Sequence, residues 1–493
     1  MKKILLSILA LIFILSSCQN LEDLNLDPNR PKTTHPRFLL TQIEWETFQD
    51  YGGTSPLYAT KMLVQTDGEN ANQYYKWDRG SFTAYTRMKD VVKMMEEAER
   101  LGNPSYTALG KFFRAYHFYN LTLTFGDVPY SEALKGESDN IYTPKYDKQK
   151  DVLQGILKEL EEANTILKSH NNTIEGDVIY NGNSEKWIKL INSFRLKVLM
   201  MLSKRVNEND LNLESSFLQI VQKEKLMESN ADNAQLVFLD QEGNRYPEFN
   251  SSGFGSGMYM DSTFIRRLQD KEDPRLFVYC TQTKEAKEAG KAINDFSAYE
   301  GGDPAAQYGT VNEKATKGKV SKVNERYHKD PTTEPMVLMG YAELQLILGE
   351  ATVYSWITGD AKTYYENGVK SSFEFYETYA KDYAQYLTPT SATVYLAKSR
   401  NNFSLATDNN AKIELIITQR YLQSFFQGGW SAFYNQLRTG YPSFRRPAGV
   451  NIPYRWIYPQ SEYNTNSDNV SNAIKDQFGA GNDKIDQSTW WIK

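Results

Sequence analysis

After Asn103-Pro104 the chain places Leu109, Phe112, Phe113, Tyr116, Tyr119 and Leu123 three or four positions apart, a spacing that a helix turns to one side. A strand would scatter the same residues over both faces. Asn103 stands where an N-cap belongs, with proline at the first helical position, and Gly126 and Pro129 stop the run. The pattern recurs from about Asp147, where Val152, Ile156, Leu160, Ala163 and Leu167 form one face. Lys158, Glu159, Glu161 and Glu162 are assigned to water there, with Lys158 and Glu162 four apart. Further helices are predicted over about 38–50, 56–66, 84–101, 184–205, 212–228, 334–358, 361–381 and 411–438. Many are neighbours joined by short turns. The expected fold is mainly α, an irregular tetratricopeptide-like helical solenoid with long loops and little β structure, although the full repeat signature is absent.

Between about 240 and 330 the texture changes to Gly, Asn, Ser and Tyr, and few helices are expected. Long irregular segments in a compact protein usually carry function, and the dense aromatic content here argues against disorder. The tail after Gly440, with Trp456, Tyr458, Tyr463, Trp490 and Trp491, reads the same way. No linker divides the chain, which predicts a single domain over 37–493 with a loop-rich insertion at about 240–330.

Lys2 and Lys3 followed by the apolar run 4–15 have the form of a secretory signal. The run is shorter than the roughly 20 residues that span a bilayer. It ends in Leu15-Ser16-Ser17-Cys18, which resembles a bacterial lipobox. The resemblance implies a leader of residues 1–17, cleavage before Cys18, a diacylglycerol on its thiol and a further acyl chain on the new amino terminus. Each buried methylene contributes about 0.8 kcal/mol, so one chain holds a protein marginally and three hold it durably. Residues 18–36, rich in Asn, Asp and Pro, read as the lipidated tether. No later segment approaches spanning length without charges, so membrane contact is expected through the lipid anchor alone. Cys280 then remains without a partner, and an intramolecular disulfide is excluded. The formal charge of −5 becomes two units more negative without Lys2 and Lys3, which disfavours nucleic acid as a partner.

Several segments stand out together. The centre is Gly110-Lys111-Phe112-Phe113-Arg114-Ala115-Tyr116-His117-Phe118-Tyr119-Asn120-Leu121 with Phe125-Gly126-Asp127-Val128-Pro129-Tyr130. Asp270-Lys271-Glu272-Asp273-Pro274-Arg275-Leu276, Ala342-Glu343 with Glu350-Ala351, Arg438-Thr439-Gly440-Tyr441-Pro442 and Tyr458-Pro459-Gln460-Ser461-Glu462 follow. In content and order these segments resemble the SusD/RagB family of nutrient-binding outer-membrane lipoproteins. The resemblance implies helical pairs carrying ligand-binding loops, an oligosaccharide or other nutrient as ligand, and a SusC-type TonB-dependent transporter as partner. It also implies an outer-membrane position facing the exterior, for which Glu22 and Asp23 resemble an acidic export signal.

A sugar presents hydroxyls and flat C–H faces, and Tyr and Trp answer both. The chain has 33 Tyr, 24 Phe and 8 Trp, most of them expected in packing. Two loop clusters stand apart. Asn72, Tyr74, Tyr75, Trp77 and Arg79 set three rings among amides and an arginine, and Phe296, Tyr299 and Tyr308 lie in a glycine-rich stretch where backbone can approach a ligand. These eight residues are the candidate ligand contacts. Alanine at Tyr75 and Trp77 is expected to abolish binding with little effect on unfolding.

No catalytic residue, cofactor or metal ligand is assigned. His35, His117, His170 and His328 are too dispersed for a zinc-protease motif. Glu96, Glu97 and Glu99 read as a solvated helix face, and His117 as a packed residue. Gly253 to Gly257 lacks the lysine of a phosphate loop. A peptide-capturing lipoprotein on the same scaffold and a surface glycoside hydrolase are the alternatives.

Overall fold

The computed structural model describes residues 33–49, 53–170 and 172–493; the leader, Cys18 and most of the tether lie outside the described residues. The longer helices, numbered here in chain order, are α1 Pro36–Gln49, α2 Thr83–Leu101, α3 Pro104–Phe125, α4 Gln149–Ser169, α5 Ser184–Met201, α6 Leu213–Lys223, α7 Ser262–Asp270, α8 Tyr341–Val353, α9 Ala361–Tyr379, α10 Asn409–Leu422, α11 Ser431–Thr439 and α12 Ser467–Phe478. The mainly helical architecture expected from the periodicity is the one observed.

Helices α1 to α5 pack each against the next, and α8 packs on α9 and α10. Gly102, left-handed at φ 65°, and Asn103 are the whole connection between α2 and α3, which forces an antiparallel hairpin. The α3 helix lies between α2 and α4 and is buried on nearly every side. Phe112 and Phe113 meet Trp187 of α5 edge-on at 5.6 and 5.7 Å, and Phe112 meets Phe194 at 5.8 Å. Burying each such ring contributes roughly 1.5–3 kcal/mol, so this cluster dominates the amino-terminal half of the core.

Helix α8 touches α5 and joins the two groups. The join is ionic. Glu350 accepts from both terminal nitrogens of Arg438 (2.5 and 2.9 Å), and Arg420 lies 3.4 Å from Glu350 and 2.9 Å from Glu343. Lys197 of α5 reaches Glu343 at 3.2 Å. Burial pushes the Glu343 carboxyl up, but Lys197 and Arg420 outweigh it and leave it below the usual range. The motif residues Glu343, Glu350 and Arg438 are therefore structural. So are Asp273 and Arg275, a fully buried pair at 2.6 Å.

Several boundaries differ from the sequence expectation. The 56–66 helix is only Ser55–Ala59, followed by β1 Leu63–Val64, which pairs antiparallel with β3 Tyr259–Met260. The 334–358 helix begins at Tyr341, because Met336–Met339 is strand β4 paired with β2 Ala234–Leu236. The 411–438 helix breaks into α10 and α11 where Phe426, Gly428 and Gly429 adopt positive φ. Helix α6 stops at Lys223. The 240–330 stretch holds more helix than expected, including α7 and Tyr308–Thr316, and the tail holds α12. Two charges assigned to water turn inward: Glu159 pairs with Arg114 and accepts from Tyr130, and Glu97 lies against Arg100 at 2.7 Å.

Candidate functional site

Three loops meet beside the β1–β3 pair. The first, 65–79, is shaped by its own amides: Asn70 Oδ1 accepts from the Asn72 and Gln73 backbone N–H groups (3.0 and 3.1 Å), and Gln73 Oε1 accepts from the Gln65 amide at 2.8 Å. The second, 300–308, is tied to it. Gln73 Nε2 donates to the Pro304 carbonyl at 3.2 Å, and the Tyr74 hydroxyl donates to the Ala306 carbonyl at 2.8 Å. The third, 443–453, joins through Arg445, which holds Asp303 with two bonds of 2.7 and 2.6 Å.

The two aromatic clusters singled out in the sequence are thus partly brought together, but most of their rings face inward. Tyr75 sits at φ 54°, is 3% exposed and donates its hydroxyl to the Ala59 carbonyl at 2.7 Å. Lys61 Nζ lies 3.7 Å from the centre of its ring and donates to the Gln73 carbonyl. Trp77 stacks on Trp456 at 3.7 Å and meets Trp430 edge-on at 5.5 Å. Tyr75 and Trp77 are not free surface platforms, because these partners cover their faces. The expectation that alanine at either would leave unfolding unchanged does not survive that packing. Tyr74 is buried, Asn72 half-buried, and Arg79 extends its guanidinium to the Tyr458 carbonyl at 2.7 Å and over Tyr463. Phe296 and Tyr299 pack on Phe277 at 4.9 and 5.8 Å. Tyr308 opens a short helix and is 41% exposed.

What the inward rings do form is a floor. Tyr75 and Trp77 line a cleft of about 400 Å³ whose walls are residues 450–453, Ile457 and residues 484–486. Lys484 and Asp486 supply opposite charges at its rim, and Asn451 an amide. A second cleft, about 540 Å³, shares Val450 and Asn451 with the first and is lined by Thr263, Arg267 and residues 443–449. Both fall within the 300–1,000 Å³ usual for small-ligand sites. A third pocket, lined by residues of α8 to α11 together with Asn230, Asn233, Val337 and Met339, is much smaller at about 80 Å³.

Beneath the clefts Asp261 caps α7, its Oδ1 accepting from the Thr263 and Phe264 amides at 2.6 and 3.3 Å. Its Oδ2 has no hydrogen-bond partner. Burial pushes this carboxyl up, and burial pushes the neighbouring Lys61 amine down, against the pull of Asp261. Sequence reasoning missed Lys61 and Asp261, and although it marked the tail after Gly440 as functional it named no residue of the 443–453 loop. Arg445-Arg446-Pro447 followed by Gly449, a cationic stretch in a turn-forming context, was the available signal. Among the described residues, no group of three or more His, Cys, Asp or Glu is placed to hold a metal ion, and no helix is long and apolar enough to cross a membrane.

The family model described as starch-binding and associating with the outer membrane, SusD-like, matches residues 28–459. Among solved structures, a SusD homologue from Bacteroides fragilis is 55% identical, with TM-score 0.88, over 94% of this chain and 100% of its own. An outer-membrane protein of Bacteroides vulgatus, described in terms of nutrient binding, is 52% identical with TM-score 0.90, covering 93% of this chain and 100% of that one. A chitin-binding protein is 25% identical with TM-score 0.73 over 93% of this chain and all of its own. No curated protein matches the chain.

Proposed function

The chain belongs to the SusD-like family of outer-membrane nutrient-binding proteins, and on that premise we propose that it captures an oligosaccharide in the cleft floored by Tyr75 and Trp77. It hands the sugar unaltered to a SusC-type TonB-dependent transporter, held at the cell surface by acyl chains on Cys18. The observation that carries this reading is the cleft itself, a concave site of ligand size with Tyr75 and Trp77 in its lining and Asn451, Lys484 and Asp486 at its rim. Aromatic rings and sugar C–H groups meet without loss of hydrogen bonds, while the rim groups take the hydroxyls. The chitin-binding relative supports a sugar as cargo. Anchoring rests on Leu15-Ser16-Ser17-Cys18 and is checked by mass spectrometry of the amino-terminal peptide.

The test uses exposed rim residues, since the floor is part of the core. Asn451→Ala and Lys484→Ala should weaken binding to the best oligosaccharide of an immobilised panel by about tenfold each, with unfolding within about 0.5 kcal/mol of the parent. Unchanged binding in both variants would move the site elsewhere. Binding only to a peptide library would replace the sugar with a peptide, and new reducing ends in the panel would make the protein a hydrolase.

A further inference from the structure

We propose that the captured oligosaccharide is acidic: a carboxylate or sulfate on one sugar seats between Arg267 and Arg446, in the cleft that adjoins the aromatic one. This rests on the sugar reading above and names the class of sugar. The two clefts share Val450 and Asn451 as a common wall, and the proposal places one ring over the Tyr75 and Trp77 floor and the next unit across that wall in the arginine cleft.

The charge there is uncompensated. The lining contains Arg267, Arg445 and Arg446 and no carboxylate. Arg445 is neutralised by its two bonds to Asp303. The other two are oriented by neutral groups only. Arg446 donates from Nε to the Val450 carbonyl at 2.6 Å and from Nη1 to the Phe444 carbonyl at 3.1 Å, and Arg267 donates to the Ser443 carbonyl. Carbonyl partners fix a guanidinium without cancelling its charge, and neither arginine forms an ion pair among the described residues. Asp261 nearby pairs with neither arginine: its Oδ1 accepts from the Thr263 and Phe264 amides and the Thr263 hydroxyl, and burial pushes its carboxyl up. In a chain whose formal charge is −5, two fixed and unpaired arginines facing one cleft form a local anion site. Ser443 and Asn451 supply the hydroxyl and amide donors that complete the shell of a bound oxyanion, while the Thr263 hydroxyl is already donated to Asp261 Oδ1 at 2.6 Å.

Calorimetric titration of the intact protein with matched pairs tests this. One pair is oligogalacturonides and their methyl esters; the other is keratan sulfate oligosaccharides, which carry no uronate, and their desulfated forms; neutral starch and chitin oligosaccharides complete the set. The acidic member of one pair should bind at least about tenfold tighter than its neutralised partner, with affinity falling as salt rises. Which pair shows the preference identifies carboxylate or sulfate. Arg446→Gln should erase the preference, read as the ratio of the affinities for the acidic and the neutralised member of a pair, and Arg267→Gln should act in the same direction. Equal binding of charged and neutralised members, or a preference that persists in both variants, overturns the inference and leaves the sugar reading intact. Binding to no sugar in the set, acidic or neutral, removes both.

Discussion

Trp77 shows how one side chain serves both the core and the site. Stacked on Trp456 and flanked by Trp430 and Phe433, it cannot be truncated without leaving a void, so Trp77→Ala should lose about 3–5 kcal/mol in denaturant unfolding. Two buried titrating groups give residue-level predictions of opposite sign. Burial pushes His117 down to about 3, so below pH 6.5 the unfolded chain takes up a proton that the fold does not. Stability should fall as pH drops from 6.5 towards 3, by up to about 1.4 kcal/mol per pH unit, and His117→Gln should flatten that slope. Asp127, whose Oδ1 accepts from the Gln149 amide, is pushed by burial up to about 7. The fold keeps a proton that the unfolded chain releases near pH 4, so this contribution is lost as pH rises from 4 through 7. Asp127→Asn should therefore gain stability relative to the parent across that range, measured as melting temperature against pH. A variant gap that stays constant with pH would remove either assignment.

At the scale of elements, the 300–308 loop is set against the start of α7 by a glycine with no room for a side chain. A Cβ on Gly301 would lie 2.3 Å from the Ser262 backbone nitrogen. Gly301→Ala should displace the loop and its Asp303, freeing Arg445 and changing ligand affinity at least several-fold while the helical circular dichroism stays that of the parent. Elements were legible where periodicity was long. The α3 run between Asn103-Pro104 and Gly126 allows one interpretation. Met336–Met339 does not, since a short apolar run fits a buried strand as well as a helix, and pairing with Ala234–Leu236 decides it. Phe425-Phe426-Gln427-Gly428-Gly429 carried its break in plain view, yet the apolar spacing on either side concealed it. The site was legible as a place but not as a surface. Tyr74, Tyr75 and Trp77 mark the loop, while their burial depends on Trp430 and Trp456, and the standing of Arg446 depends on Asp303 holding its neighbour. None of those partners is near in sequence.

Over the whole molecule, the two helical groups are joined by Lys197, Glu343, Arg420, Glu350 and Arg438. Removing Arg438 takes the two-bond partner from buried Glu350 and leaves Arg420 at 3.4 Å as its cation, and Arg438→Ala should cost about 3–5 kcal/mol. The clefts lie on loops outside this join, so the scaffold stays rigid while the loops carry specificity. The claim on which the rest depends is where the cargo sits. A crystal structure of the protein with the tightest oligosaccharide of the panel measures it directly. A sugar ring should lie above Tyr75 and Trp77, between residues 450–453 and 484–486, with the chain running past Asn451 towards Arg446. A ligand bound elsewhere, for example in the cleft between Arg400 and Glu414, would contradict it.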